Sequence, residues 1–137
     1  MTISIVDTGP IVALLDRRDR YHAWARDTLD KIERPIHACE PVIIEACFLL
    51  RRFDEGQDAV LKMLATRSLV VAFRIAPEVD ALRALMRRFA DVPMSLADAC
   101  LVRMTEMERD SVVVTVDSDF RVYRRNRRQV VPTIMPD

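Results

Sequence analysis

The chain has 137 residues, half of them hydrophobic, with only two glycines and with acids and bases in equal number, 21 of each. A length of this order suits one domain, residues 1–137, around a single apolar core, and so little glycine points to a compact, helix-rich fold. Zero net charge argues against a generic polyanion binder, though local patches can still serve, and no charge-free stretch exceeds eight residues, which excludes a membrane-spanning helix. Cys39, Cys47 and Cys100 form no C-x-x-C pair and leave one thiol over under any disulfide scheme. With no basic, apolar leader at the N-terminus, the expectation is reduced cysteines buried as small hydrophobes in a cytoplasmic protein.

Ile3–Val6 reads as a buried strand rich in β-branched residues. Thr8-Gly9-Pro10 breaks it, and Pro10, suited to a first helical turn, opens a short helix to residue 16. Residues 21–32 carry Tyr21, Trp24, Ala25, Thr28, Leu29 and Ile32 at spacings of three and four, an amphipathic helix. A short strand at 36–38 precedes a helix over 41–53 with Val42, Ala46, Leu49, Leu50 and Phe53 on one face. Asp54-Glu55-Gly56 interrupts, 58–66 is helical again, and 69–73 is a third strand. Residues 77–89 form a helix with Val79, Leu82, Leu85, Met86 and Phe89 inward. After the loop at Asp91-Val92-Pro93, Ser95 caps a helix to about residue 109, and 111–116 is a strongly β-branched strand. A Ser/Asp turn and a basic segment follow, with a last short strand at 130–134. Strands alternating with helices predict a parallel α/β sheet with helices on both faces.

Four acids stand where charges are otherwise missing. Asp7 is the only charged side chain in the first fifteen residues, Glu45 the only one between Pro41 and Leu50, and Asp98 the only one between Val92 and Val102. Asp117 follows the strand at 111–116 just as Asp7 follows Ile3–Val6. Glu45 and Asp98 each share a helical stripe with apolar neighbours three and four residues away. Ligands in open parallel sheets bind beyond the carboxyl ends of the strands, so Asp7 and Asp117 should meet there. Unit charges about 4 Å apart cost roughly 4 kcal/mol at an effective dielectric near 20. Four converging carboxylates therefore need protons, arginines from elsewhere in the chain, or a divalent cation. All-oxygen sites suit Mg²⁺ or Mn²⁺, whereas two histidines and scattered cysteines make zinc a poor fit.

Asp7-Thr8 after a strand, Glu45 in EPVIIEACFLL, Asp98 in SLADAC and Asp117 in VVVTVDSDF together resemble the PIN domain. The resemblance is closest to the VapC-type toxins of bacterial toxin–antitoxin pairs and covers essentially the whole chain. S-x-x-D-A and T-x-D-x-D-F are its specific motifs. It implies a Rossmann-like, three-layer α/β/α fold with a central, mainly parallel sheet, and a Mg²⁺-dependent endoribonuclease. The acidic cluster would then be Asp7, Glu45, Asp98 and Asp117, with Asp7 and Asp98 as direct metal ligands. Glu45, Asp117 and, ranked lower, Asp119 would act through water or a second ion. It also implies a homodimer and a separately encoded antitoxin that covers the acidic cleft. Gly9 departs from the pattern, since relatives often carry Ser or Asn there.

Phosphodiester hydrolysis at such a site uses Mg²⁺ to activate water and to polarise the phosphoryl oxygens. Thr8, Thr115 and Ser118 offer hydroxyl contacts or turn caps. Arg121, Arg124 and Arg125, with Arg127 and Arg128, form a basic segment suited to phosphates, with Tyr123 among them to stack a base. Arg17, Arg18 and Arg20 are a second such cluster. Trp24 with Tyr21 and Leu29, and the helix through Phe48, Leu49 and Phe53, are candidates for exposed apolar surface. Two rival readings are a non-catalytic RNA- or protein-binding module on the same fold and another Mg²⁺-dependent phosphoryl-transfer enzyme. A haloacid-dehalogenase phosphatase wants D-x-D where this chain has Asp7-Thr8-Gly9, and a receiver wants a lysine that Lys31 and Lys62 are misplaced to supply.

Overall fold

The computed structural model describes residues 1–137. Its core is a five-stranded sheet in the order β3-β2-β1-β4-β7, with every neighbouring pair parallel. The strands are β1 (Ile3–Val6), β2 (Ile36–His37), β3 (Leu69–Val70), β4 (Ser111–Val114) and β7 (Thr133–Ile134). Two helices, α1 (Thr8–Leu15) and α2 (His22–Lys31), connect β1 to β2, and α3 (Glu40–Leu49) and α4 (Gly56–Ala65) connect β2 to β3. A single 3₁₀ turn at Ala76–Glu78, α5 (Val79–Arg88) and α6 (Leu96–Met107) return the chain to β4. The helices before β3 pack on one another, and α5 pairs with α6, so the sheet lies between two helical layers. That is the three-layer α/β/α arrangement expected from the alternation of strands and helices.

Strand order reverses between β1 and β4, and this position fixes the site. The two strands run in register from Ile3 opposite Ser111 to Val6 opposite Val114. They therefore end side by side, and Asp7 emerges next to Thr115, with the Asp7 N–H donating to the Val114 carbonyl at 2.9 Å. Ile5, Val6, Val113 and Val114 are fully buried, as strands covered on both faces require. Ile11, Val42, Ala46 and Leu50 from the helices before β3, and Leu82, Leu101 and Val102 from α5 and α6, join the strands in one buried core.

Several element boundaries differ from the sequence expectation for identifiable reasons. α1 starts at Thr8 rather than at Pro10, because the Asp7 carboxylate caps it by accepting from the Thr8 N–H at 2.8 Å. β3 is two residues long instead of five, since it is an edge strand with β2 as its only neighbour and β2 is equally short. α3 ends at Leu49, and its buried face is Val42, Ala46 and Leu50, while Leu49 is exposed and Phe53 only partly buried. Glu45 lies about 100° around the helix from the centre of that face, so it is exposed and not on the core stripe. The basic segment folds as a two-stranded antiparallel hairpin, β5 (Arg124–Arg125) with β6 (Gln129–Val130), whose turn holds Asn126 and Arg127 at positive φ. Val130 belongs to that hairpin, and the last sheet strand is β7 alone. Cys39 and Cys100 are buried as expected, Cys47 is partly buried, and all three are free thiols.

Candidate metal centre

Asp7, Asp98 and Asp117 meet beyond the ends of β1 and β4, with one carboxylate oxygen from each lying within 4.8 Å of the other two. Each acid begins a helical segment. Asp7 caps α1. Asp98 sits at the third position of α6 in a capping box with Ser95, whose hydroxyl accepts from the Asp98 N–H at 3.0 Å. Asp117 caps a 3₁₀ turn at Ser118–Arg121 by accepting from the Asp119 N–H at 2.9 Å. Capping is the ordinary structural use of such acids, and here it coexists with convergence. The Thr8 and Asp119 N–H groups donated to Asp7 and Asp117 offset part of the negative charge gathered there.

Burial makes the arrangement costly for bare charge. Asp7 is 8% exposed. Loss of solvation pushes its carboxyl up to about 6, and the Asp98 and Asp117 charges push the same way, against the hydrogen bonds from Thr115 and Thr8. Asp98 is raised chiefly by burial as well, opposed by hydrogen bonds from Tyr123 and Ser95. At 4.8 Å two unit charges repel by about 3.5 kcal/mol at an effective dielectric near 20. No cation of the chain answers them: the ion pairs are Met1 with Asp110, and Arg103 with Glu78 and Glu106.

Hydroxyls tie the acids together. Thr115, fully buried, donates to Asp7 Oδ2 at 2.7 Å and accepts from the Asp117 N–H at 3.0 Å. The Thr8 hydroxyl, beside Asp7 in the cleft wall, is buried and has no partner in the chain. Three clustered carboxylates without a counter-charge, next to an unsatisfied hydroxyl oxygen, fit a hard divalent cation with oxygen ligands.

Glu45 lines the same cleft from α3 but stands outside the three-acid group. Asp19, which the sequence did not single out, lines it too, and its carboxylate accepts from the Tyr21 N–H at 2.8 Å. Asp119 is outside the group and contributes its backbone N–H to Asp117. Gly9 also lines the cleft, where a Cβ would lie 2.4 Å from Val116 Cγ2. Val116 thus occupies the room that a serine or asparagine at position 9 would need.

In the basic segment, Arg121 is exposed. Arg124 donates to the carbonyls of Arg121, Val122 and Tyr123, and Arg125 to those of Thr105 and Arg109. Tyr123 is completely buried, so it cannot stack a base as the sequence suggested. Its ring packs edge-on against Phe89 and Phe120, and its hydroxyl donates to Asp98 Oδ2 at 2.8 Å. The overlooked signal was Phe120 three residues earlier, an aromatic pair on one side of an otherwise charged segment.

Residues 4–126 match the PIN domain, and the chain belongs to that family. The curated proteins yield no match to it. Among solved structures it is similar to VapC20 of Mycobacterium tuberculosis, described as a sarcin-ricin loop cleaving toxin. The TM-score is 0.76 at 19% identity, over 85% of this chain and 91% of that one. It is also similar to VapBC2 of Rickettsia felis, described as bound to a DNA fragment from their promoter, with a TM-score of 0.66 at 13% identity over 99% and 100% of the two chains. At these identities the structures share the fold.

Proposed function

We propose that this chain is a divalent-metal-dependent endoribonuclease, the toxin component of a toxin–antitoxin pair, acting as one PIN domain over residues 1–137. The observation that carries the reading is the group formed by Asp7, Asp98 and Asp117, three carboxylates within 4.8 Å with no cationic partner in the chain. Membership of the PIN family supports it, as does the fold shared with a protein described as a sarcin-ricin loop cleaving toxin.

Asp7 and Asp98 would hold the principal ion, Mg²⁺ or Mn²⁺, with Asp117 completing the set. The bound ion supplies Lewis acidity toward the phosphoryl oxygens and the attacking water. The chain's own part is preorganisation. Thr115 fixes Asp7 and the backbone of Asp117 relative to each other, and Ser95 fixes the start of α6 under Asp98. Glu45, exposed on the cleft wall, is free to orient water or accept its proton. Arg121, exposed near the Asp117 turn, provides a phosphate contact, while Arg124 and Arg125 are held by backbone carbonyls.

The cognate antitoxin would cover the cleft by way of α3. Ile44, Phe48 and Leu49 are exposed there at 69%, 58% and 44%, and Glu45 and Leu49 both line the cleft. An apolar strip running into an acidic cleft suits a partner helix with a basic side chain. The same reading includes a homodimer and a cytoplasmic location. No helix of the chain is long and apolar enough to cross a membrane.

The decisive assay is RNA cleavage in Mg²⁺ by the wild type and by Asp98→Asn, which keeps the shape of the capping box and removes the charge. Cleavage should fall by about 100-fold or more. Near-normal cleavage by the variant would remove Asp98 from the site and sink the assignment.

A further inference from the structure

We infer that Tyr123 is a positioning residue for the Asp98 carboxylate, holding it from behind the cleft so that one oxygen is left to a cation. This rests on the metal-site reading above. Tyr123 has no exposed surface, and it is not among the residues that line the cleft. A phenol so deeply buried needs a hydrogen-bond partner, and its only one is Asp98 Oδ2 at 2.8 Å.

The Ser95 N–H approaches the same oxygen at 3.3 Å. Both donors to Asp98 therefore converge on Oδ2, and Oδ1 receives none. A carboxylate on the first turn of a helix can otherwise rotate about its terminal torsion, which is broad and roughly two-fold. Two donors on one oxygen fix the plane of the group and choose which oxygen faces the other acids. This is the work that outer partners do at metal sites, orienting the ligand that touches the ion.

The rest of the segment is built to hold the phenol still. Ring centroids lie 5.4 Å from Phe89 and 5.1 Å from Phe120, both edge-to-face, so the ring is clamped from α5's end and from the Asp117 turn. Arg124 donates to the Tyr123 carbonyl at 2.9 Å, and the Tyr123 N–H donates to the Asp119 carbonyl at 3.1 Å. The tyrosine thereby links two of the three acids: its backbone is anchored on the turn that Asp117 caps, and its hydroxyl is on Asp98.

Tyr123→Phe keeps the clamped ring and deletes the hydroxyl alone. The test is Mn²⁺ titration of the metal-free chain, with free Mn²⁺ read by electron paramagnetic resonance, for the wild type, Tyr123→Phe and Asp98→Asn. The expected result is a Mn²⁺ dissociation constant raised about 10-fold or more in Tyr123→Phe, in a chain that stays folded in chelator with only the modest drop in melting temperature that one lost hydrogen bond brings. The Mg²⁺ concentration for half-maximal RNA cleavage should rise by the same factor, while the rate at saturating Mg²⁺ recovers toward wild type. A purely packing role would leave both midpoints in place. Wild-type Mn²⁺ affinity in Tyr123→Phe together with lost affinity in Asp98→Asn would overturn the inference and leave the metal site standing. Wild-type affinity in both variants would overturn the metal-site reading itself.

Discussion

The two regions of this chain most conspicuous for charge behave in opposite ways. At the ends of β1 and β4, Asp7, Asp98 and Asp117 are brought within 4.8 Å of one another with hydroxyl and N–H partners but no cation. In the segment that follows Asp117, Arg124 and Arg125 are taken up by five carbonyl contacts with the ends of neighbouring elements. The acids are few, partly buried and uncompensated; the arginines are many, partly exposed and structurally employed. A dense run of one charge is therefore a weaker sign of function than an isolated charge in an apolar setting, because surface charge is cheap and buried charge is not.

The largest effect that would sharpen this contrast is the pH dependence of folding. Asp7 in the folded chain titrates near 6, above the ordinary value of 3.8. Between those values the folded state holds the proton more tightly than the unfolded state, so this group's contribution to stability is fullest below about pH 4 and is lost as pH rises through 6. For this group alone the loss is about 3 kcal/mol. Thermal melts in chelator from pH 4.5 to 7.5 should show a decline that Asp7→Asn flattens. A saturating divalent cation competes with the proton, so its stabilising effect should grow over the same range. An unchanged pH profile in Asp7→Asn would mean that this carboxyl is not strained by burial.

Next comes the seat of Gly9. With Val116 Cγ2 at 2.4 Å from a Cβ at this position, Gly9→Ser should lower stability by about 2 kcal/mol through overpacking. Val116→Ala in the same chain should restore most of it, since the shortened side chain frees that space. Additive losses in the double variant would refute the steric account.

The smallest effects separate the arginines. Arg125→Ala should cost about 1 kcal/mol of stability, through the carbonyls of Thr105 and Arg109 at the end of α6. It should leave the salt dependence of RNA binding to the Asp98→Asn variant nearly unchanged. Arg121→Ala should do the reverse, leaving the melting temperature alone and reducing the salt slope by about 1. Equal effects of the two changes on RNA binding would erase the distinction.

Much of this was legible in the sequence, for a physical reason. A strand buried on both faces tolerates no charge, so the first charge after Ile3–Val6 and after the strand ending near Val116 marks the sheet's carboxyl edge. Those strand ends pointed to Asp7 and Asp117, and its isolation between Val92 and Val102 pointed to Asp98. Glu45 was harder, because helical periodicity gives a face only within tens of degrees, and the observed face turns it onto the cleft's rim. Tyr123 was misread because its partners are distant in the chain: Phe89 lies at the end of α5 and Asp98 on α6. The short β2 and β3 depend on sheet neighbours that no local pattern encodes.

If Asp7, Asp98 and Asp117 form a cation site, crystals grown in Mn²⁺ should show it in the anomalous signal at the manganese edge. A peak is expected within coordinating distance of the Asp7 and Asp98 carboxylates, lost in crystals of Asp98→Asn. An ordered, RNA-cleaving protein with saturating Mn²⁺ and no peak between these acids would contradict that site.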